Sequence, residues 1–156
     1  MSAITIRVKK LNEKAVIPRN MSIDAACFDL VATEIIQEDE NLVTVKYGFA
    51  TQIPVGYKVC IAPRSNLTHK GWIMGNSPAQ IDADYRGEWM SKFESIPVNI
   101  NQKMSGMTLL YPDFPYKIGD RVCQCWVEKI VDTEFEEVEE LTSTIRGSGS
   151  FGSTGK

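Results

Sequence analysis

Apolar side chains recur at every second position along much of this chain, and that spacing limits the fold more than any other feature. Ile4, Ile6 and Val8 alternate with polar neighbours, as do Val43, Val45, Tyr47 and Phe49, then Val55, Tyr57, Val59 and Ile61. In extended backbone, residues two apart share a face, so each run predicts a half-buried strand. Val122-Cys123-Gln124-Cys125-Trp126-Val127 adds a further β-rich run. Pro54, Gly56, Gly75-Asn76, Ser77-Pro78, Pro112, Pro115 and Gly119-Asp120 separate the runs with turns. No long segment carries a helical period. Many short strands between frequent turns predict an all-β fold, a sandwich or a barrel. One short helix is expected, with Ser65 capping a turn through Asn66, Leu67, Thr68, His69 and Lys70 and Gly71 closing it.

At 156 residues the chain suits a single domain. Its 43% hydrophobic content supports a real core. The net charge of −3 leaves no basic footprint, so direct nucleic-acid binding is not expected. The first ten residues lack a continuous apolar stretch of the kind a secretory signal needs, and no membrane span is expected. Cys27, Cys60, Cys123 and Cys125 form no C-x-x-C pair, and there is one histidine, which argues against zinc. Reduced thiols in a cytoplasmic protein are the expectation.

The chain ends Arg146-Gly147-Ser148-Gly149-Ser150-Phe151-Gly152-Ser153-Thr154-Gly155-Lys156. Such an end reads either as a solvated tail or as an arm that orders around an anion. Small residues admit close backbone approach, Arg146 offers a fork for phosphate, and the Phe151 ring is able to cover a base. It is not a P-loop, because Lys156 has no helix after it. The acidic run Glu134 to Glu140 ahead of it reads as a solvated edge or arm.

Four further segments complete a pattern: Cys27-Phe28-Asp29-Leu30, Pro63-Arg64-Ser65, Gly75-Asn76 through Ile81-Asp82-Ala83-Asp84-Tyr85-Arg86-Gly87-Glu88, and Gly119-Asp120-Arg121-Val122-Cys123-Gln124. With the glycine-rich end, their order and approximate spacing resemble the five motifs of the trimeric dUTPase family, from about Ala25 to Lys156. The third and fifth motifs are the specific ones. The resemblance implies a jelly-roll-like β-sandwich or barrel with one short helix, spanning 1–145, and a C-terminal phosphate-binding arm over 146–156. It points to a phage or bacterial member, acting in the cytoplasm, or the host cytoplasm for a viral protein.

The implied activity is hydrolysis of dUTP to dUMP and pyrophosphate, which limits uracil in DNA and supplies dUMP for thymidylate synthesis. Cutting between the α- and β-phosphates needs an oriented water, a base for its proton, and donors for the developing charge. By resemblance Asp82 is that base. Asn76, Gln80, Ile81, Tyr85, Met90 and Phe151 serve the base and sugar, with Tyr85 against the deoxyribose where a 2′-hydroxyl would not fit. Because Asp82 and Tyr85 fall on opposite faces of a regular strand, sharing one pocket requires a hairpin or bulge. Arg64, Ser65, Asn66, Gln124, Arg146, Gly152, Ser153 and Thr154 are implied at the phosphates. Asp29 is implied near a Mg²⁺ ion carried mainly by the triphosphate, acting through water or by holding the site together. The family shares each active site among subunits, which implies a homotrimer.

Three positions depart from the family pattern: Cys27, Ala79 and Ser150 each stand where glycine is usual. The stretch from Trp89 to Lys117 is longer than expected and reads as an extended hairpin or surface loop. Two alternatives stand beside the hydrolase. A dCTP deaminase-like enzyme would need a glutamate such as Glu88. A catalytically weak nucleotide-sensing protein would use the same scaffold to bind a partner.

Overall fold

The structure is a computed structural model that describes residues 3–99 and 109–150. Among them lie twelve strands: β1 (Arg7–Lys10), β2 (Phe28–Val31), β3 (Glu34–Asp39), β4 (Leu42–Lys46), β5 (Phe49–Gln52), β6 (Tyr57–Pro63), β7 (Trp72–Met74), β8 (Ala79–Ile81), β9 (Met90–Ser95), β10 (Val98–Asn99), β11 (Leu109–Leu110) and β12 (Arg121–Lys129). One four-stranded sheet runs β2-β12-β6-β8, a second β3-β4-β9-β7, and β1-β5 and β10-β11 form two-stranded pairs. Every pairing is antiparallel. The all-β, jelly-roll-like expectation holds.

The alternating residues do what their spacing requires. Val43 and Val45 of β4, Val59 and Ile61 of β6, and Leu30, Phe93 and Val122 are all buried to 1% exposure or less. Truncating a residue such as Phe93 to alanine would cost about 3–5 kcal/mol, as large buried aromatics do. The run from Val43 to Phe49 is not one strand, however. Gly48 sits at φ +73°, so β4 stops at Lys46 and β5 turns away to pair with β1. Val55 lies outside β6 and is 94% exposed. Ile4 and Ile6 precede the paired residues of β1.

The helix is shorter than expected. It is a single 3-10 turn, Ser65–Leu67, and the residue that caps it is Arg64, without a side-chain bond. His69 at φ +66° ends any continuation.

The segment after Trp89 also needs correction. Its later part is a hairpin, β10 with β11. Its first part is not a surface loop: β9 is an interior strand between β4 and β7, with Ser91, Phe93 and Ser95 all buried. The serines disguise the inward face. Ser91 is acceptable there because its hydroxyl meets the Tyr47 hydroxyl at 2.7 Å. Trp72 and Trp89 are core residues. All four cysteines are free thiols.

After β12 the chain from Ile130 to Ser150 forms neither strand nor helix. Its apolar side chains Val131, Phe135, Leu141 and Ile145 are largely exposed. No helix among the described residues is long and apolar enough to cross a membrane.

Candidate active site

β8 leads directly into the first half of the site. It is paired with β6 through Ala79↔Ile61, Gln80↔Cys60 and Ile81↔Val59. The strand ends at Ile81, and a turn follows in which the Tyr85 N–H donates to the Asp82 carbonyl at 3.2 Å. This turn meets the requirement raised by strand geometry. It brings Asp82 and Tyr85 to one cavity of about 180 Å³, together with Asn76, Ala79, Gln80, Ile81, Glu88 and Met90.

The parts of this pocket are tied down from outside. The Asn76 Oδ1 accepts from the Lys92 N–H at 3.1 Å, fixing the β7–β8 connection against β9. Lys58 donates to Gln80 Oε1 at 2.9 Å and pairs with Glu128 at 3.3 Å. Glu128 in turn accepts from the Trp126 indole at 2.7 Å. That N–H bond, then the bond from Lys58, holds the Glu128 carboxyl below its usual range. Glu88, the residue that a deaminase would need, accepts from the Gly48 N–H at 2.9 Å and so binds the turn to the scaffold.

The second half lies elsewhere. Asp29 on β2, Arg64 and Ser65 after β6, and Arg121 and Gln124 on β12 line a cavity of about 340 Å³ with Cys27. Asp29 is its hub. One carboxylate oxygen meets Arg64 Nε at 3.0 Å and the other meets Arg121 Nη1 at 2.9 Å. The Asp29 side chain is only 14% exposed, so these are partly desolvated pairs, stronger than surface ones. Gln124 donates to the Pro63 carbonyl at 3.4 Å, which holds the side chain beside the β6 end.

Arg121 stands in the fourth motif without an assigned role, and the register shows how it enters the site. Residues 121 and 124 belong on opposite faces of a regular strand. A bulge between Arg121 and Cys123 adds one residue to β12 against β2. Val122 and Cys123 are therefore both buried, and Arg121 turns outward to Asp29. The two residues between arginine and glutamine give no warning of that bulge.

Asn66 is not drawn into this cavity. Its Oδ1 accepts from the Tyr116 hydroxyl at 2.8 Å. Arg146 is described, and its Nε donates to the Gly149 carbonyl at 3.0 Å within the arm's own turn. Phe151, Gly152, Ser153 and Thr154 lie outside the described residues.

A divalent ion finds no protein cage here. Among the described residues, no three His, Cys, Asp or Glu side chains cluster as ligands. Both Asp29 oxygens are engaged by arginines. These residues fit an ion carried on phosphate oxygens and water rather than on protein ligands.

The two cavities sit at opposite ends of β6. Asp82 follows Ile81, the partner of Val59, and so lies at the level of Lys58. Arg64 lies six residues further along, about 20 Å at the rise of an extended strand.

The family model described as dUTPase matches residues 13–155. The deoxyuridine 5'-triphosphate nucleotidohydrolase of Nautilia profundicola is 39% identical over 154 residues, covering 97% of this chain and 99% of the relative. That of Syntrophotalea carbinolica is 39% identical over 159 residues, covering 99% of each. Among solved structures, the Staphylococcus bacteriophage 80alpha dUTPase with dUpNHpp superposes with a TM-score of 0.78 at 25% identity, over 99% of this chain and 100% of that one. A mutant dUTPase from phage phi11 of S. aureus, described with a structural Mg(II) ion, shares the fold with a TM-score of 0.71 at 22% identity, over 90% of this chain and 100% of that one. The chain belongs to the dUTPase family.

Proposed function

We propose that this protein hydrolyses dUTP to dUMP and pyrophosphate, with Asp82 as the general base. The observation that carries the proposal is one cavity that holds the Asp82 carboxylate beside Tyr85, Gln80 and Asn76. A nucleoside seated there would present its α-phosphorus near a carboxylate able to orient water. Attack forms a bond from the water oxygen to the α-phosphorus. The bond from that phosphorus to the oxygen bridging it to the β-phosphorus breaks, pyrophosphate leaves, and the proton of the water passes to Asp82. Deoxyuridine is the fitting nucleoside under this reading. Free main-chain groups of the β7–β8 connection would match the uracil edge and would leave cytosine with unpaired buried groups. The Tyr85 ring leaves no room for a 2′-hydroxyl.

The phosphate end is supplied by a second copy of the chain. Asp82 and Arg64 of one chain lie about 20 Å apart along β6, a span that favours a triphosphate reached from two copies. A closed ring of three copies would place the Arg64, Ser65, Arg121 and Gln124 cavity of one against the Asp82 pocket of the next. The exposed Phe135, Leu141 and Ile145 favour an arm that lies on a neighbour. Residues 1–145 form the domain, its end from Ile130 onward reaching toward the neighbour, while 146–156, with Arg146, Phe151, Gly152, Ser153 and Thr154, close over uracil and phosphates and exclude water. Magnesium, held by the triphosphate, neutralises charge when bound. Asn66 contributes through its backbone turn, since its side chain is held by Tyr116.

The test is Asp82→Asn. Pyrophosphate release from dUTP should fall about 10²–10⁴-fold, the range for loss of a general base, while a non-hydrolysable dUTP analogue still binds. Unchanged turnover in that variant would end the assignment.

A further inference from the structure

We infer that Arg86 is a positioning residue for sugar selection, acting through Tyr85; this rests on the reading of Tyr85 as the wall against the deoxyribose. Tyr85 is 40% exposed, so core packing does not fix its ring. Its position depends on the backbone beneath it. The Arg86 Nη1 donates to the Ala83 carbonyl at 2.7 Å and the Tyr85 carbonyl at 3.0 Å. It also approaches the Thr51 carbonyl on β5 at 3.5 Å. One nitrogen has two hydrogens, so the two short bonds clamp the turn and the third contact anchors it weakly to the body.

The ring is steered from a second side. The Tyr85 hydroxyl donates to the Glu88 carbonyl at 3.1 Å, bending the side chain back across Gly87. A Cβ at Gly87 would fall onto the Tyr85 phenol. Gly87 is not at positive φ, so alanine there strains no backbone and acts only by displacing the ring. The segment beyond is secured to β5 independently, since the Trp89 N–H donates to the Phe49 carbonyl and its indole to the Thr51 hydroxyl. Losing the Arg86 clamp therefore loosens Asp82 to Gly87 without releasing β9. Lysine at 86 keeps a cationic donor but not the rigid fork, so it should restore part of the effect.

The experiment measures kcat/KM for dUTP and UTP in wild type, Arg86→Ala, Arg86→Lys, Gly87→Ala and Tyr85→Ala, with thermal melting of each. A loss of stability alone lowers both nucleotides together and leaves their ratio unmoved. We expect the dUTP preference to fall roughly tenfold in Arg86→Ala and Gly87→Ala, within the range a steric pocket contact carries, and to recover partly in Arg86→Lys. If Tyr85→Ala loses the preference while Arg86→Ala and Gly87→Ala keep it, the inference fails and the sugar-wall reading stands. If Tyr85→Ala keeps the preference, the sugar-wall reading fails and takes the inference with it.

Discussion

The two cavities are held in different ways. The phosphate cavity is built from neighbouring strands, β2, β6 and β12, with one carboxylate gripping two arginines at 3.0 and 2.9 Å. The Asp82 pocket hangs on a turn, and its key ring and carboxylate are exposed. Its geometry comes from hydrogen bonds that tie Asn76, Gln80 and Glu88 to Lys92, Lys58 and Gly48 outside it, and from the Arg86 bonds within the turn. The difference suits the two tasks. A polyanion needs charges arranged beforehand, because rearranging buried charge on binding is costly. Recognition of a base and sugar rests on shape, and a turn refined by many small bonds can be fitted closely.

The largest effect expected from this contrast is a rescue. Asp82→Asn and Arg64→Ala each damage one cavity and leave the other intact. Mixed at equal amounts and reassembled, they should regain activity at about a quarter of the sites, if the cavities meet across copies in a closed ring. A mixture no more active than the two variants alone would mean that each chain works by itself or that another pairing operates. Asp29→Asn comes next. It leaves two arginines without their shared carboxylate, and should raise KM for dUTP about tenfold with a loss of about 1–2 kcal/mol in stability, between the values of exposed and buried pairs. Urea unfolding and steady-state kinetics on one preparation measure both, and an unchanged KM would remove Asp29 from phosphate positioning. The smallest effect belongs to Lys58→Met. Lys58 is partly solvated, so losing its bond to Gln80 should cost under about 1 kcal/mol, seen as a two- to threefold rise in KM with kcat preserved. A large fall in kcat instead would mean that Lys58 acts on the phosphates directly.

The contrast also explains what could be read from the sequence. The residues of the Asp82 pocket lie within one short stretch, Asn76 to Met90, and all line the same cavity. For Asp82 and Tyr85 to share one pocket, strand parity had to be broken between them, and a turn breaks it. Asp29, Arg64 and Gln124 converge because their strands are neighbours, but parity misdirects Arg121, whose bulge is a tertiary fact. Asn66 depends on Tyr116, fifty residues away, and no local pattern announces that bond. β9 was concealed by serines facing inward, where a tyrosine hydroxyl satisfies one of them. The all-β class survived these errors because it rests on repeated alternation, to which no single strand is essential.

Cys27 has a practical consequence. Burial raises the pKa of Cys60 and Cys123 and pushes Cys125 up to about 12, which leaves those sulfurs as protonated, sheltered thiols. Cys27 is half-buried on the wall beside Arg64 and Arg121. A maleimide dye at neutral pH should therefore attach at one place of four. The rate of its attachment would then report whether the phosphate cavity is open or filled, with no mutation introduced into the chain.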